Sequence, residues 1–209
     1  MLTQEEWMGA LNARHGKERQ EKFSRAVVAV CGLGGLGSNV AIALARAGIG
    51  KLILIDFDRV DVTNLNRQQY KASQLGMNKT EALAQNLREI NPFIRLETHA
   101  VRISEENAQE LLQEADVVCE AFDVPEAKAM LVNFVLENMP EKYLVAGSGM
   151  AGFGSPNTIQ TRRITDRFYL CGDTVSDVND GIGLVCARVM VCAAHEAHTI
   201  LRLLANEIE

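Results

Sequence analysis

The sequence has 209 residues, which suits one compact domain that buries roughly 70% of the surface its unfolded chain exposes. A net charge of −6 argues against a nonspecific nucleic-acid surface. Residues 1–7 are polar and do not resemble a secretory signal, and the longest apolar run, near 183–194, is shorter than the roughly 20 residues that span a bilayer. We therefore expect a cytoplasmic protein that binds neither nucleic acid nor membrane.

Alternating apolar runs and helical patterns predict strand–helix units along the first 150 residues. The predicted strands are 26–31, 51–55, 94–101, 116–121 and 143–147. The predicted helices follow residue 36, run from 79 to about 91, start at 104 and cover 125–137. Strands that are continuous apolar runs are typical of a sheet covered on both faces. The sequence thus predicts an α/β, Rossmann-like, doubly wound sheet that is mostly parallel, with helices on both faces.

The pattern changes after residue 147, where glycines interrupt the chain. We expect antiparallel strands or a hairpin over 158–163, a polar loop over 164–180 and a long final helix over 182–206. The predicted organisation is a single domain, 1–209. Its parts are a helical segment (1–24), a nucleotide-binding core (25–147) and C-terminal strands, loop and helix (148–209).

A glycine-rich turn, Gly32-Leu33-Gly34-Gly35-Leu36-Gly37, lies between the first predicted strand and the first predicted helix. Its glycines permit close approach to a phosphate, and the helix start offers free N–H groups. In this position the turn predicts a nucleotide site, although a tight turn needed only for packing is the alternative. Asp56 ends the second strand, where a carboxylate can accept hydrogen bonds from ribose hydroxyls or cap the next turn. Up to this point a nicotinamide-dependent dehydrogenase is equally compatible.

Residues 55–69 distinguish these possibilities. They read Ile-Asp-Phe-Asp-Arg-Val-Asp-Val-Thr-Asn-Leu-Asn-Arg-Gln-Gln. Together with the glycine-rich turn, this segment closely resembles the ThiF/MoeB/ubiquitin-activating-enzyme superfamily, whose members adenylate the terminal glycine of ubiquitin-like carriers. The resemblance runs from about residue 14 to residue 204 and is strongest to the short ThiF-type branch of thiamine biosynthesis.

The resemblance implies ATP and Mg²⁺ as cofactors and assigns roles to individual side chains. The implied nucleotide-binding residues are Gly32, Gly34, Gly35, Gly37, Asp56, Asp58, Asn64, Arg67 and Lys79. The implied catalytic residues are Arg14, Arg67, Lys79 and Asp123. Asp123 would also bind the magnesium ion, and Arg14 would enter the site of the second subunit of a homodimer.

Each of these side chains also has a simpler interpretation. Arg67 and Lys79 could be solvated surface charges, which is the usual place of such residues. Asp123 could cap the helix that follows it, and Arg14 could merely be exposed.

The implied function is an ATP-dependent adenylyltransferase. The terminal glycine carboxylate of a ThiS-like sulfur carrier ending in Gly-Gly would attack the α-phosphate and release pyrophosphate, as a step of thiamine thiazole biosynthesis. A carboxylate is already ionised at pH 7, so no strong protein base is needed. Two other hypotheses are an NAD-dependent oxidoreductase and a non-catalytic nucleotide-binding scaffold that recruits a carrier.

The cysteines depart from the pattern of longer relatives, which carry two Cys-x-x-Cys pairs. This sequence has neither, so we expect no zinc. Cys171, in a polar stretch, is the cysteine expected to be exposed and the one candidate for sulfur transfer; the short loop suggests a reaction that stops at the acyl-adenylate. His195 and His198 lie at i and i+3 without further ligands and are expected at an ordinary helix surface. Four cysteines lie in apolar runs and are expected in the core: Cys31, Cys119, Cys186 and Cys192.

Overall fold

The structure is a computed structural model that describes residues 2–179 and 181–208. The strands in these residues are β1 (Val27–Cys31), β2 (Lys51–Ile55), β3 (Arg95–His99), β4 (Val117–Glu120), β5 (Tyr143–Gly147), β6 (Gln160–Arg163) and β7 (Phe168–Gly172). The α-helices are α1 (Gln4–His15), α2 (Lys17–Arg25), α3 (Gly35–Ala47), α4 (Lys79–Ile90), α5 (Glu105–Leu112), α6 (Pro125–Asn138) and α7 (Cys186–Ala205). No helix within the described ranges has the length and apolar character needed to cross a bilayer.

The described strands form one sheet in the order β3-β2-β1-β4-β5-β7-β6. All neighbours are parallel except β6, which pairs antiparallel with β7. This arrangement confirms the predicted α/β class, the mostly parallel sheet and the antiparallel strand near the C-terminus.

Each central strand contributes to two cores because successive side chains point to opposite faces of the sheet. In β1, Val28 and Val30 belong to the core shared with α3, α4 and α7, whereas Ala29 and Cys31 belong to the core shared with α5 and α6. Both sets are fully buried. This double burial explains why the strands are continuous apolar runs rather than alternating ones.

The predicted polar loop over 164–180 is wrong in its central part. Phe168–Gly172 is strand β7, which fills the position between β5 and β6. Tyr169 and Cys171 are buried because their side chains belong to the core shared with α7, and β7 has a hydrogen-bonded neighbour on each side. The predicted final helix begins four residues too early, because α7 starts at Cys186. Position 180, also assigned to the loop, lies outside the described residues.

The first two helices pack at the amino end of the sheet, where its parallel strands begin. The Gly50 amide donates to the Phe23 carbonyl of α2 at 3.0 Å, just before β2 starts. A Cβ on Gly48, after the end of α3, would lie 2.5 Å from the side chains of Leu11 and Gln20. The opposite, carboxyl end of the sheet therefore remains free of these helices.

Candidate nucleotide-binding site

The glycine-rich turn lies at the carboxyl end of the sheet, between β1 and β4. The strand order reverses at this point, and in open α/β sheets such a reversal leaves a crevice in which ligands bind. Gly32 has φ +89°, and a Cβ there would lie 2.8 Å from the Ala121 carbonyl oxygen. A Cβ on Gly37 would lie 1.8 Å from the Gly32 oxygen. Only glycine allows the turn to fold this tightly against the end of β4.

Asp56 connects the end of β2 to the glycine-rich turn. One carboxylate oxygen accepts the Leu33 amide at 2.6 Å, and the other accepts the Asp58 amide at 2.8 Å. Burial raises the pKa of Asp56, while the nearby Lys79 ammonium and the two amides oppose that rise. Asp56 thus caps the turn that follows it, as the alternative interpretation required, and ribose binding stays a prediction.

Lys79 is buried, so the interpretation as a solvated surface charge is wrong for this residue. It is the first residue of α4, and 7% of its side chain is exposed. Its Nζ lies 2.8 Å from the Asp58 carboxylate and 4.0 Å from that of Asp56. The structure therefore brings the predicted lysine to the strand end that also contacts the glycine-rich turn.

The Arg67 side chain lies against Gly35. A Cβ on Gly35 would come within 3.5 Å of the arginine Cγ and 3.6 Å of its Cδ. One guanidinium nitrogen donates to the Thr63 carbonyl at 3.1 Å and to Asn66 at 2.8 Å. The arginine Nε is buried and has no hydrogen-bond partner among the described residues. An orphan donor of this kind beside a glycine-rich turn suits an anionic ligand.

Asn64 lies in the short 3₁₀ turn that precedes Arg67. Its side-chain oxygen accepts the Asp61 amide at 3.1 Å, and its carbonyl accepts the Gln68 amide at 3.0 Å. The amide side chain is therefore already used to shape the segment that carries Arg67.

Two polar residues that the sequence reasoning missed attach the Arg67 segment to the glycine-rich turn. The Ser38 hydroxyl donates to the Gly34 carbonyl at 2.6 Å and accepts the Gln69 amide at 3.1 Å. Asn39 donates to the Gly35 carbonyl at 2.6 Å and to the Arg67 carbonyl at 3.2 Å. Their signal in the sequence was a pair of polar side chains at the otherwise apolar start of a helix.

Asp123 is exposed and lies in the turn between β4 and α6. It is two residues beyond Ala121, whose carbonyl faces Gly32 of the glycine-rich turn. The N-cap of α6 is Val124, so the interpretation of Asp123 as the helix cap is wrong. Within 2–179 and 181–208, no group of three or more His, Cys, Asp or Glu residues could hold a metal ion by itself.

Arg14 is far from the glycine-rich turn of its own chain. It is exposed in the last turn of α1, which packs at Gly48 beyond the end of α3. The glycine-rich turn leads into the opposite, N-terminal end of α3. This helix has 13 residues and is therefore about 20 Å long at 1.5 Å per residue. The structure therefore does not bring Arg14 together with the other predicted site residues of its own chain.

Two predictions about cysteine exposure are wrong. Cys171 is fully buried in β7, and burial raises the pKa of its thiol to about 12. Cys186, expected in the core, is partly exposed because it is the first residue of α7. His195 contacts the Thr161 hydroxyl at 3.0 Å, and His198 is exposed on the same helix.

The profile of the ThiF family matches residues 9–207 of this sequence. The chain belongs to the ThiF family. Among relatives, the sulfur carrier protein adenylyltransferase of Thermus thermophilus is 38% identical over 131 residues, covering 62% of this chain and 43% of that protein. The adenylyltransferase and sulfurtransferase MOCS3 of Anopheles gambiae is 32% identical over 200 residues, covering 92% of this chain and 44% of that protein. This ThiF-family chain thus spans less than half the length of these curated relatives.

Solved structures include a ThiF-like protein of the same size. The E. coli tRNA N6-threonylcarbamoyladenosine dehydratase TcdA, in complex with ATP, has a TM-score of 0.87 and 25% identity. The match covers 99% of this chain and 98% of that one. E. coli MccB in complex with ATP shares the fold, with a TM-score of 0.71 over 97% of this chain and 64% of that one.

Proposed function

We propose that this ThiF-family chain is an ATP-dependent adenylyltransferase that activates the C-terminal glycine carboxylate of a small ubiquitin-like sulfur-carrier protein. The observation that carries the proposal is the convergence of Arg67, Lys79 and Asp56 on one glycine-rich turn at the carboxyl end of the sheet. The relatives named as adenylyltransferases support the same chemistry, and the solved ATP complex supports the binding of ATP.

The turn fits a triphosphate. Gly35 lacks a Cβ, which would approach a Val189 methyl group to 3.0 Å, and the start of α3, whose N-cap makes no side-chain hydrogen bond, offers backbone N–H groups to a phosphate. The buried Arg67 Nε is available to a phosphate oxygen, and the Lys79 ammonium can exchange its Asp58 partner for another. The ribose would lie beside Asp56, with Asp58 and Asn64 at the adjoining turn.

A magnesium ion would be held by Asp123. One or two carboxylates together with substrate phosphates are the usual magnesium ligands at nucleotide sites, so an isolated carboxylate suffices. When bound, the ion would neutralise charge that develops on the phosphates during transfer.

The chain's own residues would contribute position and charge. A carboxylate oxygen of the carrier attacks the α-phosphorus, the bond from that phosphorus to the oxygen bridging to the β-phosphate breaks, and pyrophosphate leaves with the electron pair. The product is an acyl-adenylate. Arg67 and Lys79 would stabilise the negative charge on the phosphates, and the fixed turn would hold the reacting groups in line.

We further propose a ThiS-like carrier that ends in Gly-Gly, within thiamine thiazole biosynthesis, and a homodimer in which Arg14 reaches the second copy's site. The opposite placement of Arg14 and the glycine-rich turn supports action between two copies. The burial of Cys171 supports delivery of sulfur by another protein after the acyl-adenylate forms. Residues 1–209 would act as a single adenylation domain.

A second candidate substrate is a modified tRNA nucleoside, as in the name of the E. coli neighbour. The near full-length match to that structure favours it, whereas the net charge of −6 weighs against binding to a polyanion.

ATP–pyrophosphate exchange tests the proposal. With a carrier ending in Gly-Gly and Mg²⁺, we expect exchange by the intact chain and its loss in Lys79→Ala and in Asp123→Ala. The matched control is Lys71→Ala, which removes an exposed lysine paired with Glu89 and should leave exchange unchanged. Exchange that survives both site substitutions would contradict the assignment, and exchange stimulated by tRNA instead of carrier would favour the second candidate. Tight NAD binding would favour an oxidoreductase. Tight carrier binding without any exchange would favour a non-catalytic scaffold.

A further inference from the structure

A buried ion pair lies directly behind the turn that carries Asp123. Glu120 is the last residue of β4 and is fully buried, and one of its carboxylate oxygens lies 2.5 Å from the Nζ of Lys128 in α6. About three quarters of the lysine side chain is buried, since 26% is exposed. Neither residue is among those assigned to nucleotide binding.

The pair makes two further hydrogen bonds that reach the backbone on both sides of the turn. The second Glu120 oxygen accepts the Phe122 amide at 2.7 Å. Lys128 donates to the Gly147 carbonyl at 2.8 Å, one residue past the last β4–β5 register pair, Glu120 with Ala146. The two side chains therefore continue the connection between β4 and β5 beyond the point where the backbone ladder ends.

The restrained turn is also the one that contacts the nucleotide site. The Ala121 amide donates to the Cys31 carbonyl at 2.8 Å, immediately before Gly32. A Cβ on Gly32 would lie 2.8 Å from the Ala121 oxygen and 3.0 Å from the Phe122 ring. Movement of this turn would displace Asp123 relative to the glycine-rich turn.

Stability alone gives little reason for this pair, because well-packed apolar residues commonly replace a buried ion pair without loss of stability. Burial raises the pKa of Glu120, and the Lys128 ammonium and the Phe122 amide oppose that rise. A second buried carboxyl group, Glu196 of α7, also interacts with the Lys128 charge, which opposes the rise of the Glu196 pKa that burial causes. The Lys128 ammonium is thus a cation shared by the surroundings of two buried carboxyl groups.

We propose that Glu120 and Lys128 are positioning residues that hold Asp123 at the glycine-rich turn, so that Mg²⁺ and ATP bind in the geometry required for attack at the α-phosphorus. This inference rests on the proposed function. The pair acts through the backbone of residues 121–123 and does not touch the nucleotide itself.

The test compares two buried lysines of the full chain. Lys128→Met should raise the Mg²⁺ concentration for half-maximal ATP–pyrophosphate exchange about fivefold and lower the maximal rate about tenfold, since small misplacements carry penalties of this order. Lys128→Arg, which keeps the charge, should recover most of both. The control is Lys142→Met, because Lys142 is even more deeply buried but donates to the Gln113 and Ala115 carbonyls at 2.8 and 2.7 Å, at the amino end of β4.

Both methionine variants should lower the melting temperature, but only the Lys128 variant should change the magnesium dependence. Equal magnesium dependence in Lys128→Met and Lys142→Met, measured well below both melting temperatures, would overturn the positioning role. The positioning role would also be overturned if Lys128→Arg stayed folded but did not recover the magnesium dependence of the intact chain.

A binding measurement separates this inference from the proposed function. Calorimetric titration with ATP, in Mg²⁺ or in chelator, needs no carrier and still reports on the pair if the intact chain shows no exchange. We expect the intact chain to bind ATP more tightly with Mg²⁺ than in chelator. Lys128→Met should lose this gain in ATP affinity but should bind ATP in chelator as tightly as the intact chain does. If Lys128→Met keeps the full gain in ATP affinity that Mg²⁺ gives the intact chain, the positioning role is refuted. If the intact chain shows no exchange but Lys128→Met loses this gain, only the proposed adenylyltransferase activity is refuted.

Discussion

The ammonium of Lys79 lies 2.8 Å from the carboxylate of Asp58, with 7% of the lysine side chain exposed. Asp56, at 4.0 Å, is the second carboxylate near the same nitrogen. A cation held between two carboxylates beside a glycine-rich turn can bind a phosphate by changing partner. The same cation compensates the buried charge of Asp56 when no nucleotide is bound.

Lys79→Met is expected to weaken ATP binding about 10- to 100-fold, because a hydrogen bond to a charged group contributes about 1.5–3 kcal/mol. It should also lower stability at neutral pH, since Asp56 loses its nearest cation. Calorimetric titration with ATP checks the first effect. The matched control is Lys51→Met, which removes a lysine lying 2.5 and 2.6 Å from Glu97 and Glu114 at the amino end of the sheet. An equal loss of ATP affinity in both variants would show that Lys79 has no special role.

Two alanine substitutions in the glycine-rich turn should behave differently. In Gly35→Ala the new Cβ meets a Val189 methyl group at 3.0 Å, which a small shift can relieve, so we expect about 1 kcal/mol of destabilisation and weaker ATP binding. In Gly37→Ala the Cβ would lie 1.8 Å from the Gly32 oxygen, and we expect a loss of at least about 3 kcal/mol. Urea denaturation of both variants checks the difference. Similar stability in the two would contradict the tight turn described here.

Glu196→Gln should change how stability depends on pH. Glu196 is fully buried, and neither carboxyl oxygen has a hydrogen-bond partner among the described residues. Burial raises its pKa well above the ordinary 4.5, so the folded chain keeps a proton that the unfolded chain releases. The raised pKa therefore favours folding below about pH 4.5, and this contribution is lost as the pH rises from there toward the folded pKa.

At pH 7 the glutamine variant should be more stable than the natural chain, and the difference should shrink toward pH 4.5. Urea denaturation between these pH values measures it, with the exposed Glu81→Gln as control. Parallel pH profiles for Glu196→Gln and the natural chain would contradict the raised pKa of Glu196.

Cysteine alkylation should begin at Cys186. This residue is partly exposed at the start of α7, whereas Cys171 is fully buried with its pKa raised to about 12. At pH 8 a thiol of that pKa has roughly one part in ten thousand as the reactive thiolate. Mass spectrometry after brief iodoacetamide treatment should find Cys186 modified first, and Cys171 only after unfolding. Early modification of Cys171 in the folded chain would contradict its place in β7.

The features that local sequence determines were predictable. The tight turn after β1 was predicted because its backbone conformation needs glycine. The sheet covered on both faces was predicted because the strands are continuous apolar runs. The start of a helix at Lys79 was predicted from Asn78 as its N-cap, and the structure confirms it. The boundaries of β5 were predicted to the residue, since Gly147 ends its apolar run.

Features that depend on distant partners were not predictable. The loop prediction over 164–180 rests on the polar character of that segment, whereas β7 forms because it pairs with β5 and β6 and packs against α7. The exposure of Cys171 was misjudged for the same reason. Ser38 and Asn39 gained a role only when residues 67–69 packed against α3. The distance of Arg14 from the turn likewise follows from packing rather than pattern.

Both outermost strands of the described sheet carry charged side chains. Strand β3 includes Arg95 and Glu97, and β6 ends in Arg162 and Arg163. Charged border strands discourage the addition of a further strand from another molecule, and so protect against aggregation through open backbone groups. A partner protein with a sheet of its own is therefore not expected to extend this sheet sideways; under the proposed function, a carrier would place only its C-terminus at the carboxyl ends of the strands.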